Sequence, residues 1–248
     1  MRHQRHFLTA AAIALAVGLL APPAQAIPLS AKAIFFEIND TDGDAGLQIF
    51  LDGEGWDAMQ VRDPNGNVIL NVLGEGGVGQ QGITELFLES AEPSFDEQPL
   101  EELLALFPAG HYSFRGMTTE GRPLRGAARL THALPDAPVI VYPEEEQDDV
   151  DPDDTYIEWE TVPDPPGSRI SGYIVIVEKD EGQLETFELN LPRSATRVSV
   201  PPEFMRPGTV YKAEVLAIER SGNRTITELE FETDGGGGGD DEEDDEEE

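Results

Sequence analysis

Cysteine is absent from the 248 residues. Its absence excludes disulfide staples, thiolate zinc sites, iron–sulfur ligation and a cysteine nucleophile. Cations are scarce: 16 Lys and Arg stand against 50 Asp and Glu, for a formal net charge of -34. A phosphate backbone would be repelled by such a chain, so no nucleic-acid partner is expected. Histidine occurs four times, which leaves little imidazole for acid–base chemistry. Hydrophobic residues make up 39%, enough for ordinary cores and too few for a multi-span membrane protein.

The one long apolar run lies at the N-terminus. Arg2 and Arg5 precede Phe7 to Leu20, and Ala24-Gln25-Ala26 follows as a small-x-small cleavage pattern. The run is too short to cross about 30 Å of hydrocarbon as a helix, so residues 1–26 read as a secretory signal and the mature chain begins at Ile27. An uncleaved anchor is the alternative. No cysteine follows the cleavage site for lipidation, the two arginines are not adjacent, and no second span follows. A secreted or periplasmic bacterial protein is expected. Cleavage removes Arg2, Arg5, His3 and His6, taking the charge from -34 to -36 and leaving His111 and His132.

At the other end, Gly235 to Gly239 is followed by nine acidic residues, Asp240 to Glu248. Residues 234–248 contain nothing apolar to bury and are expected to be disordered. What remains has room for about two domains. The expected join is Leu134-Pro135-Asp136-Ala137-Pro138, where two prolines bracket a short polar stretch.

Residues 137–233 read as alternating strands. Tyr211, Ala213, Val215 and Ala217 share one face; Ile157 and Trp159 share another; Tyr173, Val175 and Val177 oppose Ile174 and Ile176. Further strands are expected over 186–191, 197–200 and 225–231. Short alternating strands punctuated by Gly and Pro predict a β-sandwich. This segment resembles a fibronectin type III domain. The resemblance rests on Pro138 at the entry, Trp159 in the second strand, Tyr173 opening the third, and Ser221-Gly222-Asn223 at the last turn. Met205-Arg206-Pro207-Gly208-Thr209-Val210-Tyr211 is similar to that family's Leu-x-Pro-Gly-Thr-x-Tyr corner, with Met in the leucine place. The resemblance implies a binding or spacer module without catalysis. The loop Glu144 to Asp154, with eight carboxylates, departs from the pattern, and no Arg-Gly-Asp triplet is present.

Residues 30–134 are also read as mostly β, with strands over 33–38, 47–51, 58–62, 68–72 and 84–88. Asp63-Pro64-Asn65-Gly66 is a strong hairpin turn. Leu100 to Phe107 predicts one short helix with Pro99 near its first turn. Pro108-Ala109-Gly110-His111-Tyr112 echoes the Pro-Gly-x-x-Tyr corner of the second unit. The expected fold is therefore all-β: two Ig-like β-sandwich domains in tandem, the first with one short helix, the second fibronectin type III-like. The stretch 36–51 also resembles an N-terminal region of bacterial secreted proteins that carry a fibronectin type III domain, and that resemblance implies no activity.

Five local patterns carry candidate chemistry. Asp40, Asp42 and Asp44 alternate in Asp40-Thr41-Asp42-Gly43-Asp44-Ala45-Gly46 and could converge on calcium, which takes six to eight oxygens. Ala45 and Leu51 occupy the positions where an EF-hand needs glycine and glutamate, so this is no EF-hand, and a plain polar turn is the other reading. Gly74-Glu75-Gly76-Gly77-Val78-Gly79 matches G-x-G-x-x-G but lacks a βαβ setting, which favours a flexible loop over a nucleotide site. Trp56, between glycines, either stacks on a sugar or packs on its own sandwich edge. Asn39-Asp40-Thr41 and Asn223-Arg224-Thr225 match the glycosylation pattern. The acidic tail and the 144–154 loop either keep the protein soluble or gather divalent cations or a basic partner.

No nucleophile elbow accompanies His111 or His132, so no catalytic residues, no enzyme activity and no cofactor beyond possible calcium are expected. The functional expectation is a secreted, non-enzymatic binding protein with an unidentified protein or polysaccharide partner and no membrane span after signal cleavage. A calcium-dependent structural or adhesive protein using Asp40, Asp42 and Asp44 is the alternative, and an extracellular polymer hydrolase the second alternative.

Overall fold

The structure is a computed structural model that describes residues 25–179 and 185–235. The expected signal run and the acidic run 240–248 lie outside the described residues. From the N-terminal side come β1 (Ile27–Pro28), β2 (Ala31–Asn39), β3 (Asp44–Arg62), β4 (Val68–Leu73), helix α1 (Gly76–Gln81), β5 (Ile83–Glu89), helix α2 (Leu100–Leu106), β6 (Gly110–Thr118) and β7 (Pro123–Leu130). They are followed by β8 (Ile140–Tyr142), β9 (Gln147–Val150), β10 (Tyr156–Trp159), β11 (Ile170–Lys179), β12 (Thr186–Pro192), β13 (Arg197–Ser199), β14 (Val210–Glu219) and β15 (Arg224–Thr233). The protein is all-β, built as face-to-face sheets with short helical inserts.

β3 is the organising strand of the N-terminal half. Its first part, Asp44 to Asp52, pairs antiparallel with β2 and β5; its last part, from Trp56, pairs with β4 and β6. The register slips between Asp52 and Trp56. Bulges of this kind bend a strand, which lets β3 serve two layers. The alternation predicts separate strands over 47–51 and 58–62; Gly53 and Gly55 mark the bend instead, and the strand continues through it. Alternating residues of both layers, among them Phe36, Leu47, Ile49, Trp56, Val61 and Phe114, meet in one buried cluster. Trp56 has no exposed surface, so it belongs to the core and stacks on no sugar.

A second cluster gathers Ile157, Trp159, Tyr173, Val175, Tyr211 and Phe231 between two sheets. β8, β10 and β13 form one sheet; β12, β11, β14 and β15 lie in the other. The two clusters share one sheet. β2 pairs in parallel with β15, with Glu37 opposite Arg224 and Asn39 opposite Ile226, so the strand order runs β1-β7-β6-β3-β2-β15-β14-β11-β12.

The seam around that pairing is tied by Asn223, which is fully buried. Its Oδ1 accepts from the backbone N–H of Phe36 at 3.0 Å. Its Nδ2 donates to the carbonyls of Thr131 and Ala133 and to Thr131 Oγ1 at 3.0 to 3.1 Å. The proline-bracketed join is clamped as well: Thr225 Oγ1 donates to Pro135 O and Thr227 Oγ1 to Pro138 O. A buried, four-bonded amide cannot carry a glycan, so the Asn223-Arg224-Thr225 pattern is structural.

Two further expectations are corrected. The glycine-rich stretch after β4 is helical over Gly76–Gln81, giving the N-terminal half two short helices where one was expected. It packs tightly: a Cβ on Gly79 would lie 2.3 Å from the carbonyl oxygen of Gly74, so Gly79 is there for close backbone approach. With β4 and β5 both antiparallel to β3, no βαβ unit surrounds it. Part of the acidic 144–154 stretch is a strand, because β9 pairs in parallel with β15.

Candidate functional site

Period-two alternation places one set of side chains in the cores and the other on the outer face of the shared sheet. On β11, Tyr173, Val175 and Val177 point inward, while Ile174 and Ile176 point out. On β2, Ile34, Phe36 and Ile38 enter the core, and Phe35 and Glu37 face the other way. Because β2 joins β15, these outer faces form one surface across β5, β3, β2, β15, β14 and β11.

That surface holds a groove of about 550 Å³. Its floor is Phe35, Phe50, Phe87, Ile174, Ile176, Leu216 and Ile226; its polar lining is Glu37, Gln48, Glu89, Glu188, Glu214 and Arg224. Phe87 is 57% exposed, although an aromatic ring gains most by burial. Register explains the grouping: Ala33 sits opposite Phe50 and Phe50 opposite Phe87, and Ile226 opposite Leu216 opposite Ile174.

The charges around the groove are coupled. The Arg224 guanidinium lies 4.2 Å from the centroid of Phe35 and 3.7 Å from Glu37. Burial lowers the Arg224 pKa while Glu37 and Glu188 oppose it. Burial raises Glu37 above the usual carboxylate range, against the pull of Arg224 and the hydrogen bond from Gln48. Gln48 Nε2 bridges Glu37 and Glu89 at 2.7 and 3.1 Å. Glu214 is also raised by burial despite Lys212, whose Nζ lies 2.6 Å away.

Glu37, Glu89 and Glu92 bring carboxylate oxygens within 4.8 Å of one another and are the one such carboxylate group among the described residues. Burial, then Glu89, Asp44 and Glu37, push Glu92 up to about 7. Sequence reading did not find this trio. Its members come from β2, β5 and the segment after β5, and only cross-strand register joins them; no local spacing signals it.

Asp40 and Asp42 lie in the tight turn between β2 and β3, with Gly43 at φ 69°, and Asp44 opens β3 opposite Asn39. Asn39 organises this turn: its Oδ1 accepts from the N–H of Thr41 and of Asp42, and its Nδ2 donates to Asp42 and to Glu228. The three aspartates do not form a group of the kind seen at Glu37, Glu89 and Glu92. Burial, then the charges of Asp42 and Glu228, raise Asp44. His132 Nε2 lies 2.9 Å from the carbonyl oxygen of Phe107, and its ring packs against Phe36. His111 is exposed on β6.

Both tyrosine corners form. The Tyr211 hydroxyl accepts from Arg206 N–H at 2.8 Å and donates to Phe204 O at 3.3 Å, and Tyr112 donates to Pro108 O at 3.0 Å. Trp159 lies edge-on to Tyr173, with ring centroids 5.3 Å apart. A three-stranded sheet facing a four-stranded one, a buried tryptophan and a corner tyrosine define the C-terminal half as a fibronectin type III-like, Ig-class β-sandwich.

No family model matches the sequence, and comparison with curated proteins finds no match. Among solved structures, fibronectin(III)-like modules of Clostridium thermocellum CbhA align over 83% of this chain and 93% of theirs, at 7% identity and a TM-score of 0.34. The FN1–FN3 domains of chicken CNTN1 align over 86% of this chain and 68% of theirs, at 10% identity and a TM-score of 0.36. A tetra-tandem repeat in the extending region of a large adhesion protein aligns over 83% of this chain and 50% of its own, at 14% identity and a TM-score of 0.30. Scores this low carry no inference for this chain, whose class rests on its own strands and corners.

Proposed function

We propose that this chain is an exported, non-enzymatic binding protein that holds a protein or polysaccharide partner across the groove on its shared sheet. The carrying observation is the exposed Phe87 over a floor of phenylalanine and aliphatic side chains, edged by Glu37, Glu89, Glu188 and Glu214. A partner offering an apolar or ring face and positive charge fits that surface, since burying the ring and neutralising crowded carboxylates are both favourable. Residues 30–134 and 137–233 act as two tandem units in this reading, supported by their separate buried clusters. Among the described residues, no helix is long and apolar enough to cross a membrane.

The test is affinity capture from the native envelope or medium with wild type, Phe87→Ser and a chain whose acidic tail is neutralised. A catch lost with Phe87→Ser and kept without tail charge supports the groove. A catch indifferent to Phe87 removes it.

Calcium binding at Asp40, Asp42 and Asp44 is the second reading. It is favoured by the reluctance of Asp44 to ionise beside Asp42 and Glu228, which a cation would relieve. Calorimetric titration with calcium, repeated on Asp42→Ala, decides it; an unchanged isotherm removes the metal.

A further inference from the structure

A larger cleft, about 1090 Å³, opens at the pole where β7 and its following segment meet the 166–169 loop and the turn after β14. Its charge is opposite to that of the rest of the molecule. About one residue in five of the chain is acidic, yet none of the eighteen residues lining this cleft is. Lys32, Arg129, Arg169 and Arg220 line it, all exposed. Among the described residues, ion pairs occupy Arg122, Arg193, Arg197, Lys212 and Arg224 and none of these four. Glu219 lies behind the lining, buried and bonded by the hydroxyls of Ser168 and Ser221. Ala33, Ala109, Ala127, Ala128 and Ala133 are among its lining residues, so little side-chain bulk stands between those cations.

We infer that this cleft receives an acidic peptide segment, the run 240–248 of a second copy of this chain. Charge is the first argument: four exposed cations, outside every ion pair of the described residues although Arg169 also acts on Asp164, meet nine consecutive carboxylates carried behind a glycine spacer. Reach is the second. β15 starts at Arg224, beside the cleft, and runs ten residues to Thr233 at the opposite pole, about 30 Å away by strand rise. Gly235 there lies against Gly208. From Gly235, the five steps to Asp240 span at most about 17 Å even when fully extended. A molecule's own cleft can meet only the far end of its acidic run, whereas a neighbour's cleft can take all of it. The result is head-to-tail association between copies, held against the mutual repulsion of two strongly negative bodies and weakened steeply by salt.

The test uses full chains in sedimentation velocity at about 20 mM and about 200 mM salt. Two variants are made: Arg129→Glu with Arg220→Glu, and a chain with all nine acids of 240–248 changed to Asn or Gln. Wild type is expected to self-associate at low salt, and each variant alone to lose at least tenfold in affinity. Mixing the two variants should restore a one-to-one complex, since one supplies the tail and the other the cleft. That restoration separates docking from misfolding. Association that survives tail neutralisation, a failure of the mixture to associate, or a wild type that stays monomeric at low salt overturns the assignment.

Discussion

Replacing Asn223 with alanine tests the seam between the two clusters directly. The change deletes four hydrogen bonds. One of them serves the N–H of Phe36, a residue with no exposed surface, and an amide N–H left unpaired in such a place costs about 1–3 kcal/mol. The carbonyls of Thr131 and Ala133 lie at partly buried positions, where water can reach them, and add about 0.5 kcal/mol each. The expected loss is about 3 kcal/mol, a large part of a typical 5–15 kcal/mol, or roughly 6–12 °C in Tm for a chain of this size. Asn223→Asp keeps an acceptor for Phe36 but sets a carboxylate against two carbonyls, so it should be no better. The assay is urea unfolding followed by tryptophan fluorescence. Trp56 lies in one cluster and Trp159 in the other, at 0% and 1% exposure. Trp56→Phe and Trp159→Phe backgrounds therefore report each cluster alone, each against its own single-tryptophan parent. A loss under about 1 kcal/mol at both reporters refutes the reasoning, because the amide would then be doing no more than a surface group does.

Tyr211→Phe removes the corner hydroxyl and strands the N–H of Arg206; a loss of about 1–2 kcal/mol is expected in the same assay, and no change would show that the corner is ornamental to stability. Gly79→Ala forces a methyl against the carbonyl of Gly74 and should lower the urea midpoint by about 1–3 kcal/mol of stability; wild-type stability would mean that the turn after β4 relaxes freely. Glu92 holds its proton more tightly folded than unfolded, with a folded pKa of about 7 against 4.5. The folded state therefore binds more protons between those values, and stability falls as pH rises through that window. Glu92→Gln should be more stable than wild type at pH 8 by about 1 kcal/mol, given solvent screening of so exposed a group, with the gap closing by about pH 4.5. A gap that is the same at both pH values counts against the raised carboxyl.

The elements carried by local pattern were legible in the sequence. Alternation placed β2, β4, β5, β12 and β14 within a residue or two, and the middle of β11. Leu100 to Phe107 ends as a helix over Leu100–Leu106, with Pro99 before its first turn. The hairpin at Asp63 to Gly66 forms with Gly66 at φ 86°, because only that torsion closes so tight a turn. Both corner tyrosines return their hydroxyls to the backbone as their Pro-Gly spacing implied. β9 went unread because its acidic sequence has no strand periodicity; it exists only because β15 offers it an edge. The helix after β4 went unread because glycine has little helical preference of its own.

The sequence by itself determined composition, strand alternation and turns, since each depends on neighbours a few residues apart and on torsions that particular side chains permit. Tertiary structure alone decided the rest. It bent β3 into two layers, joined β2 to β15, gave Asn223 four buried partners and brought Glu37, Glu89 and Glu92 together. It also set four cations around one cleft in an acidic chain. All of these depend on pairings between residues far apart in sequence, and register across a sheet is fixed by how the finished cores pack.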